Sequence, residues 1–122
     1  MSSERESTGR TTPRVCSIAD ALDVVGERWS LLVVRELGFD VHRFNDIRIN
    51  TGAPRETLAL RLRKLEDAGV IERRRYQDRP PRDEYLLTAA GRELLPVLRA
   101  LRAWGERHVT AADPAGPAAQ AL

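Results

Sequence analysis

Residues 54–91 read PRETLALRLRKLEDAGVIERRRYQDRPPRDEYLLTAAG, and their order decides the fold. Leu58, Leu62 and Leu65 recur at i, i+4 and i+7, one apolar stripe of a helix over residues 54–68. Proline is favoured at the first helical position, so Pro54 is expected there, with Glu56 beside the free amides of the first turn and Gly69 as the stop. The stripe turns Arg55, Glu56, Ala59, Leu60, Arg63 and Lys64 to the sides and the opposite face. Residues 70–77 and 83–87 are strand-like. Proline cannot donate to a ladder, so Pro80-Pro81 must be the tip between them. Thr88 then caps a new helix.

Helix, glycine, arginine-loaded strand, proline tip, strand and helix is the element order of a winged helix-turn-helix. Its charge agrees. Residues 54–82 hold nine Lys/Arg against five acids, a surplus of four, whereas the whole chain is only +2. Positive charge gathered on one helix and one hairpin is the electrostatic footprint of phosphate binding.

Upstream, Ile18, Leu22 and Val25 form a helical stripe ended by Gly26. A second helix over 27–37 is expected to bury Trp29, Leu32, Val33 and Leu37, and a short third over 43–49 to turn Phe44 and Ile47 inward. Asn50-Thr51-Gly52 reads as a turn. In the last helix, 89–108, Leu94, Leu95, Val97, Leu98, Leu101 and Trp104 cover more than one face. Such wide apolar coverage on a terminal helix calls for a second subunit. The expected fold is therefore mainly α with a small β-hairpin wing. It is expected to dimerise through the last helix by way of Leu94, Leu98, Leu101 and Trp104.

At 122 residues the chain supports one domain, placed at 14–109. Residues 1–13 are Ser/Thr/Arg/Glu-rich and 110–122 are rich in Ala and Pro, so both are expected to be disordered tails. No apolar run approaches the ~20 residues needed to span a bilayer, so no membrane partner is expected. One cysteine excludes an internal disulfide and makes a reducing cytoplasm the default compartment. His42 and His108 stand far apart, no Cys/His cluster exists and no Gly-rich phosphate loop appears. Catalysis, metal and cofactor are therefore not expected.

With those residues in view, the chain resembles the HxlR family of bacterial regulators, a branch related to the MarR winged-helix group. The matching pieces begin with CSIADALDVVG at 16–26, Glu27-Arg28-Trp29, Arg35-Glu36-Leu37 and RFNDI at 43–47. They continue with LALRLRKLEDAGVIER at 58–73, Arg79-Pro80-Pro81-Arg82, Glu84-Tyr85, Leu87-Thr88, Gly91 and residues 101–105. The resemblance implies a homodimeric DNA-binding transcription factor. It also implies that helix 54–68 enters the major groove, that hairpin 70–87 is the wing, and that the protein dimerises through its terminal helices, the first of them contributing Ile18 and Leu22. Two positions depart: Ala53 stands where relatives often carry a capping Ser, and Ser17 where a Pro is common.

The expected partner is double-stranded DNA, read as a palindromic operator. Arg55, Arg63 and Lys64 are donors to phosphate or guanine, Thr57 to phosphate, and Ala59 and Leu60 offer apolar contact. The bland reading is a solvated helix with pairs such as Arg63–Asp67 and Arg61–Glu66. Arg73, Arg74 and Arg75 alternate across a strand and cannot all point to one face, so at least one should pack its stem over the core or pair with an acid such as Glu84. Arg75 remains a candidate contact, with Arg79 and Arg82 at the tip the better ones. The resemblance makes Cys16 a redox or electrophile switch in some relatives, against the plainer expectation of a buried, small apolar side chain. Trp29, Phe39 and Phe44 either line a small-molecule pocket or are plain core. An effector, small molecule or oxidant, is thus part of the reading. The competing class is a winged helix whose arginines engage an acidic protein partner.

Overall fold

Leu58, Leu62 and Leu65 are all fully or almost fully buried, and the rest of the chain is arranged around their helix. The structure, a computed structural model, describes residue 12 and residues 14–110. The expected tails lie almost wholly outside these described residues. Three helices come first: α1 (Ser17–Val25), α2 (Arg28–Gly38) and α3 (Phe44–Thr51). Then follow α4 (Arg55–Asp67), the strands β1 (Ile71–Gln77) and β2 (Arg82–Leu87), the short α5 (Ala89–Arg92) and α6 (Leu95–His108). The winged helix-turn-helix architecture expected from residues 54–91 is present.

The core joins Val33, Val34 and Leu37 of α2, Ile47 of α3, the leucines of α4, Val70 and Ile71 entering the wing, Leu87 leaving it and Leu98 of α6. The expected stripe on α2 is shifted. Ser30, Val33, Val34, Glu36 and Leu37 are buried, while Trp29 and Leu32 are half-buried. A helix packed on several sides buries more than one stripe, so a single-stripe reading picks the wrong edge. Glu36, only 3% exposed, is the price of that position. Its Oε1 accepts from Asn50 Nδ2 at 2.8 Å and its Oε2 from Arg35 Nε at 2.8 Å. Arg35 Nη2 also donates to the Asn50 carbonyl at 3.3 Å, closing a network between α2 and the last turn of α3. Asn50 and Thr51 are helical rather than part of a turn.

Pro54 is the N-cap of α4, one place before the expected position. Its ψ of 145° is extended, and its carbonyl accepts the first helical bond from Leu58 N at 2.9 Å. That extended step leads out of Ala53, which is buried at 4% exposure, so the core anchors the chain just before the helix opens. No side chain caps α4, as expected from Ala53. Gly69, at φ +78°, supplies the left-handed turn from α4 into the wing.

β1 and β2 pair antiparallel from Ile71↔Leu87 to Arg75↔Asp83, with an irregularity between Arg75 and Gln77 before the tip. The α2–α3 connector is bonded to β2: Tyr85 N donates to His42 O at 2.9 Å, and His42 Nδ1 donates to Tyr85 O at 2.8 Å. The base of the wing is closed by Thr88. Its hydroxyl is shared between the carbonyls of Gly69 (2.6 Å) and Val70 (3.0 Å) and accepts from Gly91 N at 3.1 Å. A Cβ at Gly91 would collide with the Val70 carbonyl, so this approach requires glycine.

The expected continuous helix 89–108 is broken at Glu93–Leu94. Pro96 has no amide to donate and its ring would clash with the carbonyl four residues back, so α6 restarts with proline in its first turn. Outward faces of α1 and α6 carry uncovered apolar side chains. Ile18 is 72% exposed, Leu22 57% and Trp104 52%, with Val97 and Leu101 similar. Leu98, expected at an interface, is buried in the chain's own core, and Leu94 is half-buried against it.

Candidate nucleic-acid interface

The buried leucines fix which face of α4 points out. Arg55, Glu56, Ala59, Leu60, Arg63 and Lys64 are all exposed, as the periodicity requires, and Thr57 is half-buried. Neither intrahelical pair of the bland reading forms among the described residues. Arg61 reaches instead toward Glu27 of the α1–α2 junction (3.9 Å), and Glu66 toward Arg73 of the wing (4.0 Å). Both acids are drawn into contacts between elements, which periodicity along one helix cannot reveal. Glu27 also caps α2, accepting from Trp29 N at 2.8 Å.

The three consecutive wing arginines are all engaged. Arg74 pairs with Glu84 (3.0 Å), Arg75 with Asp83 (2.9 Å), and Arg73 lies 4.0 Å from both Glu66 and Asp83. The pairing with Glu84 was expected; engagement of all three was not. Arg79 and Arg82 at the tip are exposed and, with Arg63 and Lys64, make no ion pair among the described residues.

Two concavities lie between the α3–α4 unit and the wing. One, of about 500 Å³, is lined by Arg43, Phe44, Asn45, Asp46, Arg55, Tyr76, Pro81, Arg82 and Asp83. The guanidinium of Arg43 lies 4.4 Å from the Tyr76 ring centroid, and that of Arg55 5.6 Å from Phe44. The second, about 320 Å³, is lined by Phe44, Ala59, Arg63, Glu66, Arg73 and Tyr85. Burial pushes the Tyr85 hydroxyl above its ordinary pKa, with the nearby Arg73 charge opposing the shift. Sequence reasoning thus brought Arg55, Ala59, Arg63 and Arg82 to one region but missed Arg43, Asn45 and Tyr76. Their placement depends on the connector running beside β2. The only sequence signal was the RFNDI match.

Cys16 departs from the plainer expectation of a buried thiol. It is exposed and caps α1, its Sγ accepting from Ala19 N at 3.4 Å. A cap residue stands outside the helix it opens, and α1 itself is a surface helix, so none of the described residues covers the sulfur. The three candidate aromatics do not meet. Phe39 lines an apolar cavity of about 290 Å³ between α2 and α6, with Leu31, Leu32, Leu98 and Leu101 and with Arg35 and Arg102. Trp29 packs on the core beneath Arg28, and Phe44 sits at the wing. Among the described residues, no cluster of His, Cys, Asp or Glu could hold a metal ion. No helix there is long and apolar enough to cross a membrane.

Helices packed on a shared apolar core, an exposed basic face on α4 and an arginine-lined cleft against a hairpin define a winged helix-turn-helix domain. The chain belongs to the HxlR-like helix-turn-helix family, whose profile matches residues 24–113. It is 45% identical over 101 residues to an uncharacterized HTH-type transcriptional regulator of Mycobacterium tuberculosis, covering 83% of this chain. The chain spans 63% of that relative's length. The crystal structure of PA1607, a candidate transcription factor, superposes with a TM-score of 0.74 at 34% identity, covering 95% of this chain and 75% of that one. The oxidized form of the redox regulator HypR superposes at 0.65 with 37% identity, covering 75% and 96%.

Proposed function

We propose that the chain is a homodimeric, sequence-specific transcriptional regulator that binds a palindromic operator in double-stranded DNA. The observation that carries this reading is the outward face of α4, where Arg63 and Lys64 stand exposed and, among the described residues, without an ion pair, as do the tip arginines of the wing beside it. At 13 residues, α4 is about 20 Å long and fits a major groove about 12 Å wide. Arg55, Arg63 and Lys64 donate to phosphate or guanine, Thr57 reaches phosphate, and Ala59 and Leu60 supply apolar contact with thymine methyl groups. Arg79 and Arg82 bind the flanking backbone or minor groove. Arg75, tied to Asp83, is the weakest member of the set.

The uncovered apolar faces of α1 and α6 support the homodimer, with Ile18, Leu22, Leu101 and Trp104 as its core. Two-fold symmetry then sets half-sites about 34 Å apart. Exposed Cys16 supports an oxidant or electrophile signal, in keeping with the similarity to HypR, a redox regulator, and the cavity beside Phe39 offers an alternative seat for a small-molecule effector. Gel shifts across a salt series, with DNA from around the gene and with unrelated DNA, test the central reading. Salt-sensitive binding that prefers the former is expected. Binding to acidic protein without DNA binding would instead favour an interaction module.

A further inference from the structure

Three arginines from three separate elements converge on the 500 Å³ concavity: Arg43 before α3, Arg55 opening α4 and Arg82 on the wing. Two of them are held by aromatic rings, Arg43 on Tyr76 and Arg55 on Phe44. A guanidinium held over a ring by a cation–π contact keeps N–H groups that can fork onto two phosphate oxygens. Two carboxylates also line the space. Asp83 is engaged by Arg75 at 2.9 Å and by Arg73 at 4.0 Å, which leaves Asp46 as the opposing charge. Neither α3 nor α4 has a side-chain cap at its opening. Their first-turn amides therefore add positive potential to the same end of the unit.

We infer that this concavity is a clamp for one backbone phosphate of double-stranded DNA, gripped by Arg43, Arg55 and Arg82, with Tyr76 positioning Arg43. The inference rests on the DNA-binding reading and deepens it. Arg55 opens the helix assigned to the groove and Arg82 belongs to the hairpin assigned to the flank. A group held between them lies where the duplex backbone crosses from one to the other. A contact of this kind fixes register and carries no base preference.

The test compares the full chain with its Arg43→Gln and Arg43→Lys variants, using operator and unrelated duplexes over a salt series. Arg43→Gln should weaken binding to both duplexes by a similar factor, about tenfold, and leave their affinity ratio unchanged. Its slope of log affinity against log salt should flatten by about 0.9 for each half-site bound. Arg43→Lys should keep the slope and recover part of the affinity. Tyr76→Leu should weaken both duplexes with the slope retained. Wild-type binding with an unchanged slope in Arg43→Gln overturns the clamp alone. Absence of any wild-type DNA binding overturns the DNA reading and the clamp together. Arg43-dependent binding of polyglutamate in place of DNA would assign the cleft to an acidic protein partner. If Arg43→Gln does not melt at the wild-type temperature, Arg82→Gln reads the same slope from the opposite wall of the cleft.

Discussion

Replacing Asn50 by alanine probes the least expected part of the fold, the buried carboxylate of Glu36. That residue is 3% exposed, and each of its carboxylate oxygens has one close donor, Asn50 Nδ2 and Arg35 Nε, both at 2.8 Å. Asn50→Ala removes the first donor and leaves Oε1 sealed from water with no replacement. A hydrogen bond to a charged group contributes about 1.5–3 kcal/mol, and the Arg35 partner, itself partly exposed, can shift to recover some of that. The expected loss is therefore about 2 kcal/mol, or a fall in Tm of roughly 10 °C for a folded body of this size. Urea unfolding followed by circular dichroism measures it, with the midpoint falling and the slope m unchanged. Glu36→Gln with Asn50→Ala should recover part of the loss, because a neutral amide is cheaper to leave half-satisfied than a carboxylate. A loss below about 0.5 kcal/mol for Asn50→Ala would show that water reaches Glu36 and that the network does not tie α2 to α3.

Gly91→Ala should destabilise by about 2 kcal/mol or more, since the new methyl meets the Val70 carbonyl at the base of the wing; thermal melts check it. Cys16 in the folded protein should react with a thiol reagent at a rate close to that of a free thiol, and a lag that depends on unfolding would refute its exposure. Leu101→Glu, on the uncovered face of α6, should shift light scattering from dimer toward monomer while the melting temperature of the monomer stays near its own baseline. An unchanged dimer would place the interface elsewhere.

Legibility in the sequence followed how local each determinant is. The leucine stripe of α4, the Pro-Pro tip and the Thr88 cap are set by residues a few places apart, and all three stand where the pattern put them. Pro96 was an equally local signal, and it outweighs the apolar run that made residues 89–108 read as one helix. By contrast, Arg61 with Glu27 and Glu66 with Arg73 join elements that pack only in three dimensions, so charge spacing along one helix suggested the wrong partners. Glu36 was invisible for the same reason: its donors come from its own helix and from residue 50. Within the cleft, α4 contributed its residues legibly. Arg43 and Tyr76 depended on the route of the connector past β2, which no period in the sequence encodes. The exposed apolar faces were readable as a surplus on α6, although Leu98 proved to belong inside.

Whether α4 reads base sequence is decided by the affinity of Arg63→Ala for operator DNA and for its single-position variants. Arg63 is exposed on the outward face and unpaired among the described residues, so its loss should leave the fold intact. The expected result is an operator affinity weaker by about 1–3 kcal/mol, with preference relaxed at one position in each half-site. Affinity and footprint identical to wild type would contradict the assignment of this face of α4 to the groove.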